Sequence, residues 1–402
     1  MTIQKTIAII GAGPAGLIAA EHLAQAGHAI TVYDRMPSPG RKFLFAGRGG
    51  LNLTHSEPRE AFHARYGAAA PALAAALDAF TPEALRTWAE GLGEPTFVGT
   101  SGRVFPKSFK ATPLLRAWLR RLDGMGVAFR FRHRWTGWAG AALTFETPEG
   151  ALSVSPDATL LAFGGASWPR LGSDGSGYAP LTAAGIALAP LHPANAGCSL
   201  VWSPRFLEAS EGAALKGCAF SVGGMTTRAE AVITRHGLEG GAVYALSSPL
   251  RAALAEGPAR LTLDLKPDVS EAALSVRLGG MKKGDTLSNL LRKTAKLSPA
   301  AIGLMREAAG KALPTDSNAL AALIKALPLT VTGLQPMDKA ISTAGGVTFD
   351  EITTGYMLAK RPGVFVAGEM LDWDAPTGGY LLQACFATGV AAAKGIEGYL
   401  TP

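Results

Sequence analysis

The stretch from Lys5 to Asp34, KTIAIIGAGPAGLIAAEHLAQAGHAITVYD, leaves this chain little choice of fold. Ile7 to Ile10 is an uninterrupted apolar run, the pattern of a central parallel strand buried on both faces. It breaks into Gly11-Ala12-Gly13-Pro14-Ala15-Gly16; an alanine-rich helical run follows to about Gln25, and Gly27 marks its C-cap. A second apolar strand, Ala29 to Tyr33, ends at Asp34. This is a βαβ unit with a dinucleotide fingerprint in its proper context. Gly11 permits the tight turn, Gly13 lets the backbone approach a pyrophosphate, and Gly16 lets helix and strand pack closely. The free N–H groups and dipole of the helix start suit that anion. Asp34 stands where a carboxylate accepts from adenosine ribose hydroxyls. Which dinucleotide is bound stays open at this point.

The chain has 402 residues, room for one large domain or two to three ordinary ones, and its 48% apolar and 17% charged content argues against disorder. No apolar window is long enough to span a bilayer, and the fingerprint glycines interrupt what would be the core of a signal peptide. A soluble cytoplasmic protein is expected. Cys198, Cys218 and Cys385 are scattered with no CxxC pair, which argues against a disulfide scaffold or zinc site; no metal is expected. The net charge of +7 fits either a solvated basic surface or attraction for anionic ligands or RNA.

Pro37 to Thr54, PSPGRKFLFAGRGGLNLT, is read as a glycine-rich basic loop that wraps a cofactor, with Arg41 and Lys42 near phosphate, in preference to an ordinary surface loop. Glu60 to Gly91 predicts two or three short helices, one opened by Thr81-Pro82-Glu83, and another helix covers about Thr112 to Leu122. Val127 to Ser155 predicts a β-meander of about three strands, in which Arg130, Arg132 and Arg134 alternate with Phe129, Phe131 and His133. That arginine stripe is read as a solvated strand face in preference to a nucleic-acid surface. Thr159 to Phe163 is a further strand running through Ala162 and Phe163 to Gly164 in FGGASWPRLGSDGSGY, with a helix from about Ser176. Glycines at the carboxyl end of such a strand are where open α/β sheets bind ligands.

Leu191 to about Leu265 carries short strands punctuated by Gly and Pro, and Ser270 to Leu327 is helical with Lys282, Lys283, Arg292, Lys293 and Lys296 exposed. Pro328 to Val331 is predicted as a strand returning to the first domain. Gly363 to Glu369 is a buried strand ending in Gly-Glu; Asp372 to Tyr380 then opens an apolar helix. A carboxylate there can bind a polyol hydroxyl, and the helix N-terminus can stabilise negative charge on a reduced flavin. A closing strand and helix with a polar turn is the alternative.

The segments GRKFLFAGRGGLNLT, GRVFPKS, GGASWPRLGSDGSGY, AISTAGGV and AGEMLDWDAPTGGYLLQACFATG resemble the BaiN-like (aminoacetone-oxidase-like) family of bacterial FAD-binding oxidoreductases, from Ile7 to about Ile396. The resemblance implies an α/β fold: a two-dinucleotide, glutathione-reductase-like FAD-binding domain with inserted β-barrel-like and small helical domains. The corresponding boundaries are 1–190 and 346–402 for the FAD domain, 191–268 for the β-rich insertion, 269–327 for the helical one and 328–345 for the return strand of the β-rich domain. It further implies that Gly11, Gly13, Pro14, Ala15 and Gly16 hold the pyrophosphate and Asp34 the ribose. Arg35, Gly40, Arg41, Lys42, Gly47, Gly49, Asn52, Leu53 and Thr54 would cover phosphate and flavin. Trp135 lies where the family's adenine-contacting strand runs; Ala162, Phe163 and Gly164 line the strand end. Gly368 and Glu369 would meet the ribitol, and Gly379, Tyr380 and Leu381 the end of the ring. The family loop usually reads SGxGRCN, whereas this chain has Ala46-Gly47-Arg48-Gly49-Gly50-Leu51-Asn52, the mark of a divergent subgroup.

The expected function is FAD-dependent hydride transfer at flavin N5 with an unidentified small organic substrate. Arg41 to Thr54 contains no cysteine, so a disulfide reductase is excluded. No second GxGxxG unit is evident, so NADH or NADPH would visit only transiently as reductant. No catalytic acid or base can be named: His192 and Tyr380 are conceivable donors, each with a structural role as its alternative. Two other readings stay open, an RNA-acting flavoprotein, prompted by the Lys and Arg excess, and a flavin-binding regulator without turnover. The oligomeric state is left open too.

Overall fold

The computed structural model describes residues 4–280, 286–310 and 313–401. They form two compact units, residues up to His192 together with those from Ser342 onward, and Pro193–Ile341 between them. Lys282 and Lys283 lie outside the described residues.

The first unit is built on a five-stranded sheet in the order Val364–Val366, Ala158–Leu161, Thr6–Ile10, Ala29–Asp34, Ala128–Phe131. Every neighbouring pair is parallel. Ile7 to Ile10 are all buried, as a strand covered on both faces requires. The helix Pro14–Gln25 follows the first strand, and its neighbour is the last helix, Tyr380–Leu400. Their backbones approach closely because Gly389 faces Ala15: a Cβ on Gly389 would lie 2.5 Å from the Ala15 carbonyl oxygen. A three-stranded antiparallel sheet, Arg134–Ala139, Ala142–Thr147 and Gly150–Val154, follows the edge strand. The helices Arg59–Ala64, Ala70–Ala79 and Pro82–Gly91 occupy the predicted helical stretch, and Thr81 caps the third by accepting from Ala84 N at 3.2 Å.

Three local expectations are corrected. The predicted meander loses its first strand, because Ala128–Phe131 pairs in parallel with Ala29–Asp34. Arg130, Arg132 and Arg134 are exposed but form no continuous strand face, since Arg132 sits in a turn at φ 60°. The loop from Pro37 to Thr54 contains a helix, Arg41–Ala46, entered through Gly40 in the left-handed region. The helix expected from about Ser176 is Tyr178–Ala183, close to that start.

The second unit holds two sheets of its own. One orders Ala214–Leu215, Ala231–Thr234, Gly237–Glu239, Cys198–Ser199 and Gly333–Leu334; the other orders Met225–Arg228, Ala219–Val222, Ala259–Asp264 and Leu327–Val331. Leu327–Val331 pairs antiparallel with Ala259–Asp264, so it closes a sheet of this unit instead of returning to the first domain. The return is made by Ser342–Val347, which belongs with the first unit. Helices Glu271–Leu278, Leu287–Thr294, Pro299–Ala309 and Ser317–Lys325 each start at a capping side chain: Ser270, Thr286, Ser298 and Asp316. Each unit carries its own apolar core.

Candidate functional site

The carboxyl ends of the parallel strands frame a cleft in the first unit, with about 1010 Å³ of space between atoms, its open side included. The three fingerprint glycines play distinct parts in its floor. Gly11, at φ 112°, turns so tightly against the next strand that a Cβ would meet the Ala162 carbonyl oxygen at 2.3 Å. A Cβ on Gly16 would lie 2.0 Å from the Gly11 oxygen. Gly13 differs: it is the N-cap of Pro14–Gln25, in extended conformation, and a Cβ there would meet nothing within 4 Å. The open space above Gly13 and the free N–H groups of that helix's first turn together make an anion cradle.

Beside the cradle, Asp34 accepts from the backbone N–H groups of Ala12 and Met36, each at 2.7 Å. Burial pushes its carboxyl above the usual range, and those two bonds oppose the shift. A carboxylate has lone pairs to spare beyond these two, so it can still accept from a diol. Arg35 pairs with Asp174 of the glycine-rich loop across the same end of the cleft. Trp135 stacks on Phe163 with ring centroids 5.9 Å apart, and its buried indole N–H has no partner.

Further along, four separate segments meet at Lys42. Its Nζ donates to Glu369 Oε1 at 2.9 Å, Glu369 Oε2 at 2.8 Å and Ser167 Oγ at 2.6 Å. Glu369 Oε1 also accepts from Thr343 N at 3.1 Å, while Thr343 Oγ1 accepts from the N–H groups of Ala166 and Ser167. Cys385 lines the cleft here; burial, then the neighbouring Glu369 charge, pushes its thiol up to about 12, so it is not a thiolate at neutral pH.

A second helix start lies at Gly379. This residue, at φ 100°, lets the helix Tyr380–Leu400 abut the backbone of Thr54, where any Cβ would come within 2.5 Å. The Asn52 Oδ1 and Thr54 Oγ1 atoms nearby are buried without partners. The Tyr380 hydroxyl donates to Glu57 Oε1 at 2.7 Å, Glu57 is paired with Arg65, and the Tyr380 carbonyl accepts from the Tyr66 hydroxyl at 2.8 Å. Burial and the Glu57 carboxylate push the Tyr380 phenol far above its ordinary value, which marks a packed hydroxyl and not a ready acid. Although burial pushes the Glu57 carboxyl up, the bonds from Arg65 and Tyr380 outweigh it and hold it below the ordinary carboxyl range. A lowered folded-state value means a stabilisation present above the unfolded carboxyl range and lost as pH falls through the folded one. Wild-type protein should therefore lose more thermal stability than Glu57→Gln between neutral pH and about pH 4; parallel melting-temperature profiles would refute the coupling.

The positions expected from sequence fall into two groups. Gly11, Gly13, Pro14, Ala15, Asp34, Arg35, Gly40, Arg41, Lys42, Trp135, Ala162, Phe163, Gly164, Gly368 and Glu369 line the cleft. Gly16 and Gly47 are outside the lining and serve as packing contacts, Gly16 against Gly11 and Gly47 against Ala111. Gly49, Asn52, Leu53, Thr54, Gly379, Tyr380 and Leu381 are not among the cleft's lining residues; Thr54 meets Gly379 at the second helix start. His192 is exposed. Ser167 and Thr343 lie within the segments GGASWPRLG and AISTAGGV, but nothing local in the sequence marks either as a site residue. The arrangement fits FAD: an open cradle for a diphosphate, orphaned polar atoms at Arg41 Nε, Ser173 Oγ and Trp135 Nε1 along the cleft, and a second helix N-terminus. Among the described residues no cluster of side chains could hold a metal ion, and no helix is long and apolar enough to cross a membrane.

Comparison with known proteins gives the following. Residues 5–395 match the family model described as HI0933-like protein Rossmann domain. The chain is 27% identical over 97% of its length to the 3-dehydro-bile acid delta(4,6)-reductase of Clostridium scindens, covering 98% of that protein. It is 26% identical over 96% of both chains to the ribosomal RNA dihydrouridine synthase of Escherichia coli. Among solved structures, 3-ketosteroid delta1-dehydrogenase from Sterolibacterium denitrificans superposes with a TM-score of 0.53 at 14% identity, covering 98% of this chain and 100% of that one, which is a likeness of fold.

Proposed function

On the premise that the chain belongs to the HI0933-like family, as an FAD-dependent oxidoreductase, we propose that it reduces an electron-poor carbon–carbon double bond in a small organic substrate. When bound, FAD supplies the hydride chemistry at its N5. The chain's own residues would hold the diphosphate over Gly13 and the ribose against Asp34. Glu369, positioned by Lys42 and Thr343, would receive the polyol, and the start of Tyr380–Leu400 would favour negative charge at the ring's far edge. The observation that carries this reading is the open cradle at Gly13, joined along one cleft to the Lys42–Glu369 pair. Hydride adds readily only to an alkene whose developing charge is delocalised, so the substrate would carry a C=C bond conjugated to a carbonyl. The names of the reductase and synthase relatives both denote hydrogen added across a double bond.

NADH or NADPH is proposed as a transient reductant. Purified protein should be yellow, bleach anaerobically with one of them, and recover its flavin absorbance on addition of an α,β-unsaturated ketone. Colourless protein that releases no FAD on denaturation would end the proposal at its first step. A second reading, an RNA-acting flavoprotein, gains weight because a relative named for ribosomal RNA spans the same length at nearly the same identity. Under that reading uridine-containing RNA, and not a free enone, restores the absorbance.

A further inference from the structure

The second unit carries a groove bounded by the helices Pro204–Ser210, Leu287–Thr294 and Pro299–Ala309. The space between its walls, open side included, is about 1790 Å³. Buried Phe206 and Ile302 form part of its lining, and a Cβ on Gly303 would press on the Phe206 ring at 3.3 Å. The rim is basic: Arg205, Arg292 and Arg306 are all exposed, one from each helix.

What these arginines touch is informative. Arg306 donates to Ser288 Oγ and Arg292 to Asn289 Oδ1 at 3.0 Å, both neutral acceptors. Among the described residues none of the three is paired with a carboxylate. The carboxylate lining the groove, Glu307, is already engaged: it accepts from Ser203 N at 2.5 Å and Ser203 Oγ at 2.7 Å, tying one wall to another. Elsewhere on this chain exposed arginines do find acids, as Arg59 does with Asp78, Arg134 with Glu146 and Arg228 with Asp268. Three guanidinium groups from three elements therefore line one groove without an ion-pair partner, and against the single Glu307 charge the lining stays net positive. Spaced, planar, bidentate donors of this kind match the phosphates of a polynucleotide.

We propose that this groove binds the phosphate backbone of single-stranded RNA. The proposal rests on the RNA-acting reading above and assigns its electrostatic grip to the second unit instead of to the Arg130–Arg134 segment. Sequence-specific recognition of RNA mostly targets single-stranded segments, and phosphate contacts position the strand while other groups read the base.

The test is fluorescence anisotropy of a fluorescein-labelled, uridine-rich single-stranded RNA with the full-length, FAD-loaded protein over a salt series. Each lost phosphate contact lowers the log–log salt slope by roughly 0.7 on single strands. Arg205→Ala/Arg292→Ala/Arg306→Ala should thus lower the slope by about 2 and weaken binding at low salt by about tenfold or more. The matching triple lysine variant should keep most of the slope, and flavin content and melting temperature should stay at wild-type values. Arg130→Ala/Arg132→Ala should leave the slope unchanged. RNA binding that survives the triple alanine variant, or that is lost in the Arg130/Arg132 variant instead, would overturn the groove while leaving the RNA reading intact. Wild-type protein without RNA affinity at low salt would overturn both. Poly-glutamate competing as well as RNA of equal charge would reduce the groove to a general polyanion surface and overturn the assignment to RNA.

Discussion

Gly13→Asp should yield protein that is folded, slightly more heat-stable without cofactor than the wild type, and colourless. Gly13 is the N-cap of Pro14–Gln25, its backbone is extended at φ −87° and ψ −179°, and the space around its Cβ position is empty. Aspartate is among the best N-cap residues, and here it would accept from first-turn N–H groups that now lack a side-chain cap, a gain over glycine of a few tenths of a kcal/mol. The same carboxylate would occupy the anion cradle and repel a diphosphate, so FAD affinity should fall at least about a hundredfold, or ~2.7 kcal/mol. Gly16→Ala should do the opposite kind of damage. Its Cβ would be driven to 2.0 Å from the Gly11 oxygen and 3.2 Å from Ile9 Cγ2, overpacking the crossing of strand and helix by ~1–3 kcal/mol or more. Flavin-to-protein absorbance ratios and melting temperatures separate the two: a yellow Gly13→Asp protein with wild-type flavin content would refute the cradle.

These two glycines are also where the sequence was most legible. Lys5 to Asp34 concentrates local rules: a continuous apolar run, turn glycines at fixed offsets, a helix and a second strand. The strand, the helix Pro14–Gln25 and the strand Ala29–Asp34 lie where those rules place them. The Thr81 cap was legible for the same reason, because its partners are three residues away. Arg41–Ala46 was not, since glycines on both sides of a six-residue run outweigh its helical propensity. Ala128–Phe131 shows a deeper limit. Alternation betrays a strand but not its partner, and pairing with Ala29–Asp34 is decided nearly a hundred residues away in sequence. Leu327–Val331 was misplaced on the same ground. The Lys42 junction lay furthest out of reach: four side chains from four segments meet there, and nothing in any one segment specifies the others.

That junction carries the second large expectation. Lys42→Met should cost more stability than Glu369→Gln, and the double variant should cost less than the two losses together. The Lys42 side chain is 27% exposed and that of Glu369 only 13%. Removing Lys42 strands a mostly buried carboxylate with the Thr343 N–H as its remaining hydrogen-bond donor in the junction. Breaking a fully buried pair costs ~3–5 kcal/mol, and partial exposure of the lysine brings this to ~2–3 kcal/mol. Removing the Glu369 charge leaves an ammonium that keeps Ser167 Oγ and can turn to water, so ~1–2 kcal/mol is expected. With both charges gone, neither is left uncompensated, and a coupling of at least ~1 kcal/mol should appear in urea denaturation of the flavin-free proteins. Flavin retention should follow a different order. In Lys42→Met the bare carboxylate faces the cleft and repels the diphosphate; in the double variant that repulsion is gone, so retention should partly recover. Strictly additive stabilities together with unchanged flavin retention would mean that Lys42 and Glu369 meet without holding either the fold or the cofactor.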